Sequence, residues 1–188
     1  MSTGFRLLVV VSALALTACA ETGSALQSLN NGLTQLNQAM APTSSGMPAL
    51  LGPSLSPDQQ VQMNRALSAS LSARDAAFRG MVASAQPVMA EVLSKTACYQ
   101  GNNVYKVLSM YSSARLDNSY ISSPWTNMRY APKGRCLSIL RADSWSQKSL
   151  NAFSYRAVFY SPESGESQAV NYEYIKQDGA WLLNYMSF

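Results

Sequence analysis

The second half of the chain alternates apolar and polar residues, a pattern typical of β-strands with one buried face. In residues 152–160, aromatic and apolar side chains fall on one face, and mostly polar ones fall on the other. Short turn sequences, among them Asp178-Gly179, separate such segments and predict hairpins. The pattern therefore predicts an antiparallel meander. Its strands are expected at 136–145, 152–160, 168–176 and 181–188.

The segment that precedes these strands shows helical spacing instead. A helix is predicted to begin with Ser56 as N-cap, Pro57 in the first turn and Gln59 completing a capping box. It is expected to continue past Met81, with Pro87 breaking or kinking it. These signals predict an α+β fold, in which N-terminal helices pack on a curved antiparallel sheet of three to four or more strands. Residues 104–111 fit either a strand or a helix, and 112–135 read as a long structured loop.

A further apolar stripe lies near the N-terminus, in residues 24–40. Its leucines recur at steps of three and four residues, which places them on one side of a helix. The stripe consists of Leu26, Leu29, Leu33, Leu36 and Met40. One interpretation is a short helix that packs on the protein's own body or lies near a membrane. The other is a helix for self-association or for a partner. Residues 41–57 are rich in Pro and Gly and indicate a flexible linker.

The first residues have the form of a secretion signal. Arg6 precedes an apolar run, Leu7–Leu16, that is shorter than the roughly 20 residues needed to span a bilayer. The run ends in Leu16-Thr17-Ala18-Cys19, which resembles the lipobox of bacterial lipoprotein precursors.

This resemblance implies cleavage before Cys19, attachment of fatty acyl chains such as palmitate to that residue, and membrane anchoring through the lipid. Ala20 follows the cysteine, which by the family's sorting pattern implies the periplasmic side of the outer membrane. The expected organisation is a signal peptide at 1–18, an anchor, helix and linker segment at 19–55, and an α+β domain at 56–188.

The cysteine count agrees with an oxidising compartment. The chain has three cysteines, and a lipidated Cys19 leaves one pair, Cys98 and Cys136, for a predicted disulfide. A zinc site is disfavoured because the chain contains no histidine and two cysteines alone do not complete one. We therefore expect no metal and no cofactor.

The end of the chain suggests a fold family. Helices followed by strands that close in Asp178-Gly179-Ala180-Trp181 resemble the nuclear-transport-factor-2-like and cystatin-like folds over residues 57–188. Enzymes of this class usually keep an acid or an Asp–His pair in the pocket of the sheet. Histidine is absent here, and Asp143 is the acid most suited to face a pocket, although its position near Arg141 favours an exposed strand-end carboxylate. The sequence predicts no enzyme.

Aromatic residues supply the remaining functional signal. The chain has ten tyrosines and three tryptophans, which favour either sheet packing or protein recognition. Tyr120, Trp125 and Tyr130 are the candidate protein-binding residues of the long loop. The net charge of +4 comes from scattered basic residues, which disfavours nucleic acid as a partner.

The resulting prediction is a non-catalytic envelope module that binds another protein, for example in a secretion, pilus or cell-envelope complex. The alternative is a periplasmic carrier with an apolar pocket for a small ligand. A buried Asp143 in a cleft would instead favour an enzyme.

Overall fold

The computed structural model describes residues 53–69, 71, 74–129 and 134–188. Cys19, the leucine stripe of 24–40 and Tyr130 lie outside the described residues. The described part belongs to a unit that spans Pro48–Phe188.

Two helices precede the sheet. Helix α1 spans Pro57–Ala69, and its capping box is present: Gln59 N donates to Ser56 Oγ at 3.3 Å, and Ser56 N donates to Gln59 Oε1 at 3.0 Å. Helix α2 spans Ala76–Cys98 and begins at Asp75, whose carboxylate accepts a hydrogen bond from the backbone N–H of Phe78 at 2.8 Å.

The prediction that the helix breaks or kinks at Pro87 was wrong about the break. The chain leaves the first helix after Ala69, and Pro87 lies inside α2. Proline lacks the N–H that would bond to the preceding turn, which costs stability in a helix interior. Ala85 and Met89 on either side of it are fully buried, so core packing supports a continuous helix across this position.

The sheet has four antiparallel strands in the order β1-β2-β3-β4, so each strand pairs with the next along the chain. They are β1 (Ser138–Ser149), β2 (Ala152–Tyr160), β3 (Ser167–Gln177) and β4 (Ala180–Ser187). Asp178 and Gly179 both have positive φ, as a two-residue hairpin turn with the twist of the flanking strands requires. The predicted meander is confirmed.

In the described residues between α2 and β1, the helices are short. Helix α3 (Tyr105–Leu108) runs into the 3-10 helix Ser109–Tyr111, which settles the ambiguous stretch as helical. Two more 3-10 helices follow, Ala114–Leu116 and Pro124–Asn127. Just before the first of these two, the chain contacts the edge strand β4, where Ser113 N donates to Leu183 O at 2.8 Å.

One face of the sheet is covered by α2 through a layer of stacked aromatic rings. Trp145 lies 4.6 Å from Tyr155, which lies 5.4 Å from Tyr172, so the three rings stack across β1, β2 and β3. Phe153 stacks on Tyr174 at 5.6 Å in the same layer. Cross-strand aromatic pairs of this kind stabilise a sheet beyond simple burial. This layer fills the space between the helix and the sheet.

A disulfide joins the end of α2 to the residues before β1. Cys98 and Cys136 are bonded, with their Cα atoms 4.2 Å apart. Leu137 N donates to Ala97 O at 2.9 Å beside it, so a backbone hydrogen bond and the disulfide join the same two segments. The predicted α+β fold, with helices on an antiparallel sheet and the Cys98–Cys136 pair, is confirmed.

Candidate binding surface

The second face of the sheet, which we call the open face, carries mostly polar and charged side chains. Its central row runs across three strands, with Asp143 opposite Arg156 and Arg156 opposite Asn171. Most of its side chains are half-buried or exposed, and Val158 is buried. The members are Arg141, Asp143, Ser154, Arg156, Val158, Asn171, Glu173, Ile175, Leu182 and Tyr185.

A carboxylate between two guanidinium groups forms the centre of this face, which we call the Arg–Asp–Arg cluster. Arg141 Nε lies 2.8 Å from Asp143 Oδ2, and Arg156 Nε lies 2.8 Å from Asp143 Oδ1. Ser144 Oγ donates to Asp143 Oδ1 at 2.9 Å. The hydrogen bond from Arg156, together with those from Ser144 and Arg141, lowers the pKa of Asp143. The cluster therefore holds one negative and two positive charges at neutral pH.

Register irregularities in β1 place these charges on the open face. Pairing shifts by one residue between Ile139 and Arg141 and again between Asp143 and Ser146. Residues two apart in a regular strand share a face, but an inserted residue reverses that relation. Arg141 therefore lies on the open face, whereas Ile139, two residues before it, is buried on the other face. Likewise Asp143 points outward, although Trp145 two residues on is in the core.

A second polar group lies beside the cluster. Glu173 Oε1 accepts a hydrogen bond from Asn184 Nδ2 at 2.6 Å and lies 3.9 Å from Arg115 NH1. The Arg115 guanidinium also sits 5.5 Å over the ring of Tyr185, a cation–π geometry. Glu173 pairs with Ser154, two residues from Arg156 on β2, so the two groups are about 7 Å apart along the strand.

The buried face of the sheet has hydroxyl groups of its own. The hydroxyls of Tyr155, Tyr172 and Tyr174, with that of Thr96 on α2, are buried and lack a partner of good hydrogen-bond geometry. Burial raises the pKa of all three phenols well above 10. These tyrosines are therefore neutral core residues at physiological pH.

The predicted binding residues of the long loop separate in the structure. Tyr120 is 70% exposed, whereas Trp125 is 4% exposed and its indole N–H donates to Ala97 O at 2.8 Å. Trp125 is thus a core residue near the disulfide, and its ring does not contribute to the surface. The prediction that Trp125 binds a partner is corrected, because its ring is buried. The sequence alone did not show the hydrogen bond to α2 that holds it there.

Asp143 occupies an exposed network and not a buried cleft. Its side chain keeps 27% exposure between its two arginines. Sequence reasoning found Arg141 as a neighbour but missed Arg156, because their proximity depends on strand register. A correct pairing of β1 with β2 would have shown it.

Within the part of the chain that the structure describes, no group of three or more His, Cys, Asp and Glu side chains is placed to hold a metal ion. Within the same residues, no helix combines the length and apolar character needed to cross a bilayer.

No protein-family model matches the chain, and no curated protein or solved structure matches it. The likenesses to lipoprotein precursors and to nuclear-transport-factor-2-like or cystatin-like folds remain predictions.

Proposed function

We propose that the chain is a lipoprotein anchored through Cys19 on the periplasmic side of the outer membrane. Its α+β domain acts as a non-catalytic module that binds another envelope protein, in a secretion, pilus or cell-envelope complex. The observation that carries this proposal is the contrast between the two faces of the sheet. Stacked rings fill one face, whereas polar and charged side chains line the other.

The filled face favours a binding module over a small-ligand carrier. A carrier of this architecture needs an apolar pocket between helix and sheet. Phe153 occupies that space, with its ring 5.3 Å from Trp181 and 6.3 Å from Phe78 of α2. Phe153 is fully buried, as expected for close packing.

The composition of the open face also favours protein recognition. Arginine and tyrosine are enriched in protein–protein interfaces, where they supply planar hydrogen bonding and large rigid contacts. Arg141, Arg156 and Tyr185 lie on this face, with Arg115 beside it, and Tyr185 is 44% exposed.

The anchor is tested by metabolic labelling with an alkyne-bearing palmitate analogue. We expect the wild-type chain to be labelled and the Cys19→Ala chain not to be. A matched control is the Cys98→Ala/Cys136→Ala chain, which retains Cys19 and should still be labelled. Equal labelling of the Cys19→Ala chain would refute lipidation at this residue.

Binding is tested with a photoreactive amino acid in intact cells, placed either at Asn171 on the open face or at Tyr120 in the long loop. Recurrent crosslinking of one envelope protein from either position supports the module, and its loss in the Cys19→Ala chain supports the tether. If neither position crosslinks a protein, although both photoreactive variants are present and folded, the proposed function is refuted.

A further inference from the structure

We propose that the Arg–Asp–Arg cluster binds a carboxylate on the partner, so that the open face recognises a protein segment containing Asp or Glu. This inference rests on the proposed function and specifies the chemistry of its partner.

The cluster leaves most of its arginine donors available. Each arginine uses its Nε atom on Asp143, and neither makes a further hydrogen bond or ion pair within the described residues. The terminal amino groups of both guanidinium ions therefore remain for an external acceptor. Arg141 is 63% exposed and Arg156 is 41% exposed, so a partner can reach them.

The arrangement is also preorganised. An isolated surface arginine loses rotamer freedom when it binds, which reduces affinity. Here the two Nε contacts to Asp143, at 2.8 Å each, already orient both guanidinium groups. An incoming carboxylate would therefore meet donors whose orientation is largely fixed, and Arg–carboxylate pairing suits bidentate contacts.

The charge count favours an anionic group on the partner. Two guanidinium ions share one carboxylate, so the cluster carries an excess of one positive charge. An additional carboxylate would balance it. Arg141 and Asp143 share a face because they are two residues apart in a regularly paired stretch, and the register shifts on either side turn that face outward although Ile139 and Trp145 are buried. Bulges re-aim side chains and are over-represented both next to active sites and at sheet edges, and β1 is an edge strand.

The surroundings favour a protein over a uniformly anionic surface. Glu173 is held on the same face by Asn184 at 2.6 Å and would repel a dense layer of phosphates. Tyr185 beside it supplies apolar contact area. Alternating charges with an exposed aromatic side chain match a protein segment of mixed sequence better than a lipid or nucleic-acid polyanion.

The test uses the full chain in detergent and a fluorescent peptide of alternating Glu and Ser, with binding followed by anisotropy. The Gln–Ser peptide of equal length is the matched probe. We expect Arg156→Gln and Arg141→Gln each to weaken binding about tenfold or more, as for loss of a charge-assisted hydrogen bond. Arg65→Gln on α1 makes the same charge change at an exposed position that is not part of the cluster and should alter the affinity less than about twofold.

A second variant guards against misfolding. Arg156→Lys keeps the charge but loses the planar fork, so it should weaken binding several-fold while far-UV circular dichroism stays unchanged. Equal binding of the Glu–Ser and Gln–Ser peptides, or equal weakening by Arg65→Gln, would overturn the inference. Binding to phosphatidylglycerol vesicles without binding to the Glu–Ser peptide would also overturn it, in favour of a lipid headgroup.

Crosslinking in cells separates this inference from the proposed function. If Asn171 crosslinks a partner, the attachment point should lie beside an Asp or Glu, and the Arg156→Gln change should abolish that crosslink. If Tyr120 crosslinks a partner and Asn171 does not, the proposed function stands and the cluster's role is overturned.

Discussion

Removal of the disulfide is expected to lower the stability of this domain strongly. The perturbation is Cys98→Ala with Cys136→Ala, made in a Cys19→Ala background so that neither lipid nor a third thiol contributes. The bond closes a loop with a sequence separation of 38 residues. In the chain-entropy model such a loop restricts the unfolded chain enough to stabilise the fold by about 4 kcal/mol.

Native contacts around the bond do not substitute for it. Ala97 O accepts hydrogen bonds from Leu137 N and from the Trp125 indole, and Gln100 Nε2 donates to Arg135 O at 2.9 Å. These contacts form only in the folded state, whereas the disulfide also constrains the unfolded state. Because these native contacts remain, the variant should stay folded at 25 °C. Because the unfolded chain is no longer constrained, its free energy of unfolding should be lowered by about 3–4 kcal/mol.

Urea denaturation followed by tryptophan fluorescence measures this change. The reduced parent protein should behave like the double variant. Both should show a larger denaturant slope, because the unfolded chain without the bridge exposes more surface. A loss smaller than about 1 kcal/mol, or two titratable thiols in the unreduced Cys19→Ala chain after unfolding, would refute the reasoning.

Three smaller effects follow from other contacts. Burial raises the pKa of Tyr172 well above 10, so the folded state resists an ionisation that the unfolded state undergoes. The free energy of unfolding should therefore fall as the pH rises above about 10, and it should fall less steeply in the Tyr172→Phe variant. Urea titrations across that pH range measure the difference. The pKa of Asp143 is lowered in the folded state, so its contribution to stability is present above about pH 4 and is lost as the pH falls below that. In the same assay, Asp143→Asn should lower the free energy of unfolding by at most about 1 kcal/mol at neutral pH and should have no effect at pH 2. Ser56→Ala removes the acceptor for Gln59 N and should cost about 1 kcal/mol, whereas an unchanged midpoint would contradict its capping role.

The parts of the fold that the sequence predicted depend on local rules. Strand β2 was predicted at its observed bounds because its alternation is regular. The capping box at Ser56 was predicted because its two partners are three residues apart. The end of α1 was missed because no Gly or Pro marks residues 70–75, and Pro87 was misjudged because tertiary packing outweighed its local cost.

The candidate surface depended on information that is not local. Trp125 bonds to a residue 28 positions away, which no spacing rule reveals. Arg156 and Asp143 are 13 positions apart and meet only through strand register. Their pairing required a hairpin of known register, whereas Arg141, two residues from Asp143, was visible in the sequence.

The irregularities of β1 connect the two faces of the sheet. Ser144 has a φ of 56°, a left-handed conformation that is uncommon for a residue other than glycine. It lies at the register shift that turns Trp145 inward, onto Tyr155, and leaves Asp143 outward, beside Arg156. The same local geometry therefore completes the aromatic layer and positions the charged cluster. The stacked Trp145 ring fixes this part of β1 on the packed face of the sheet. Asp143, on the opposite face of the same strand, is thereby held in contact with both arginines, so that packing on one face gives the open face its defined shape.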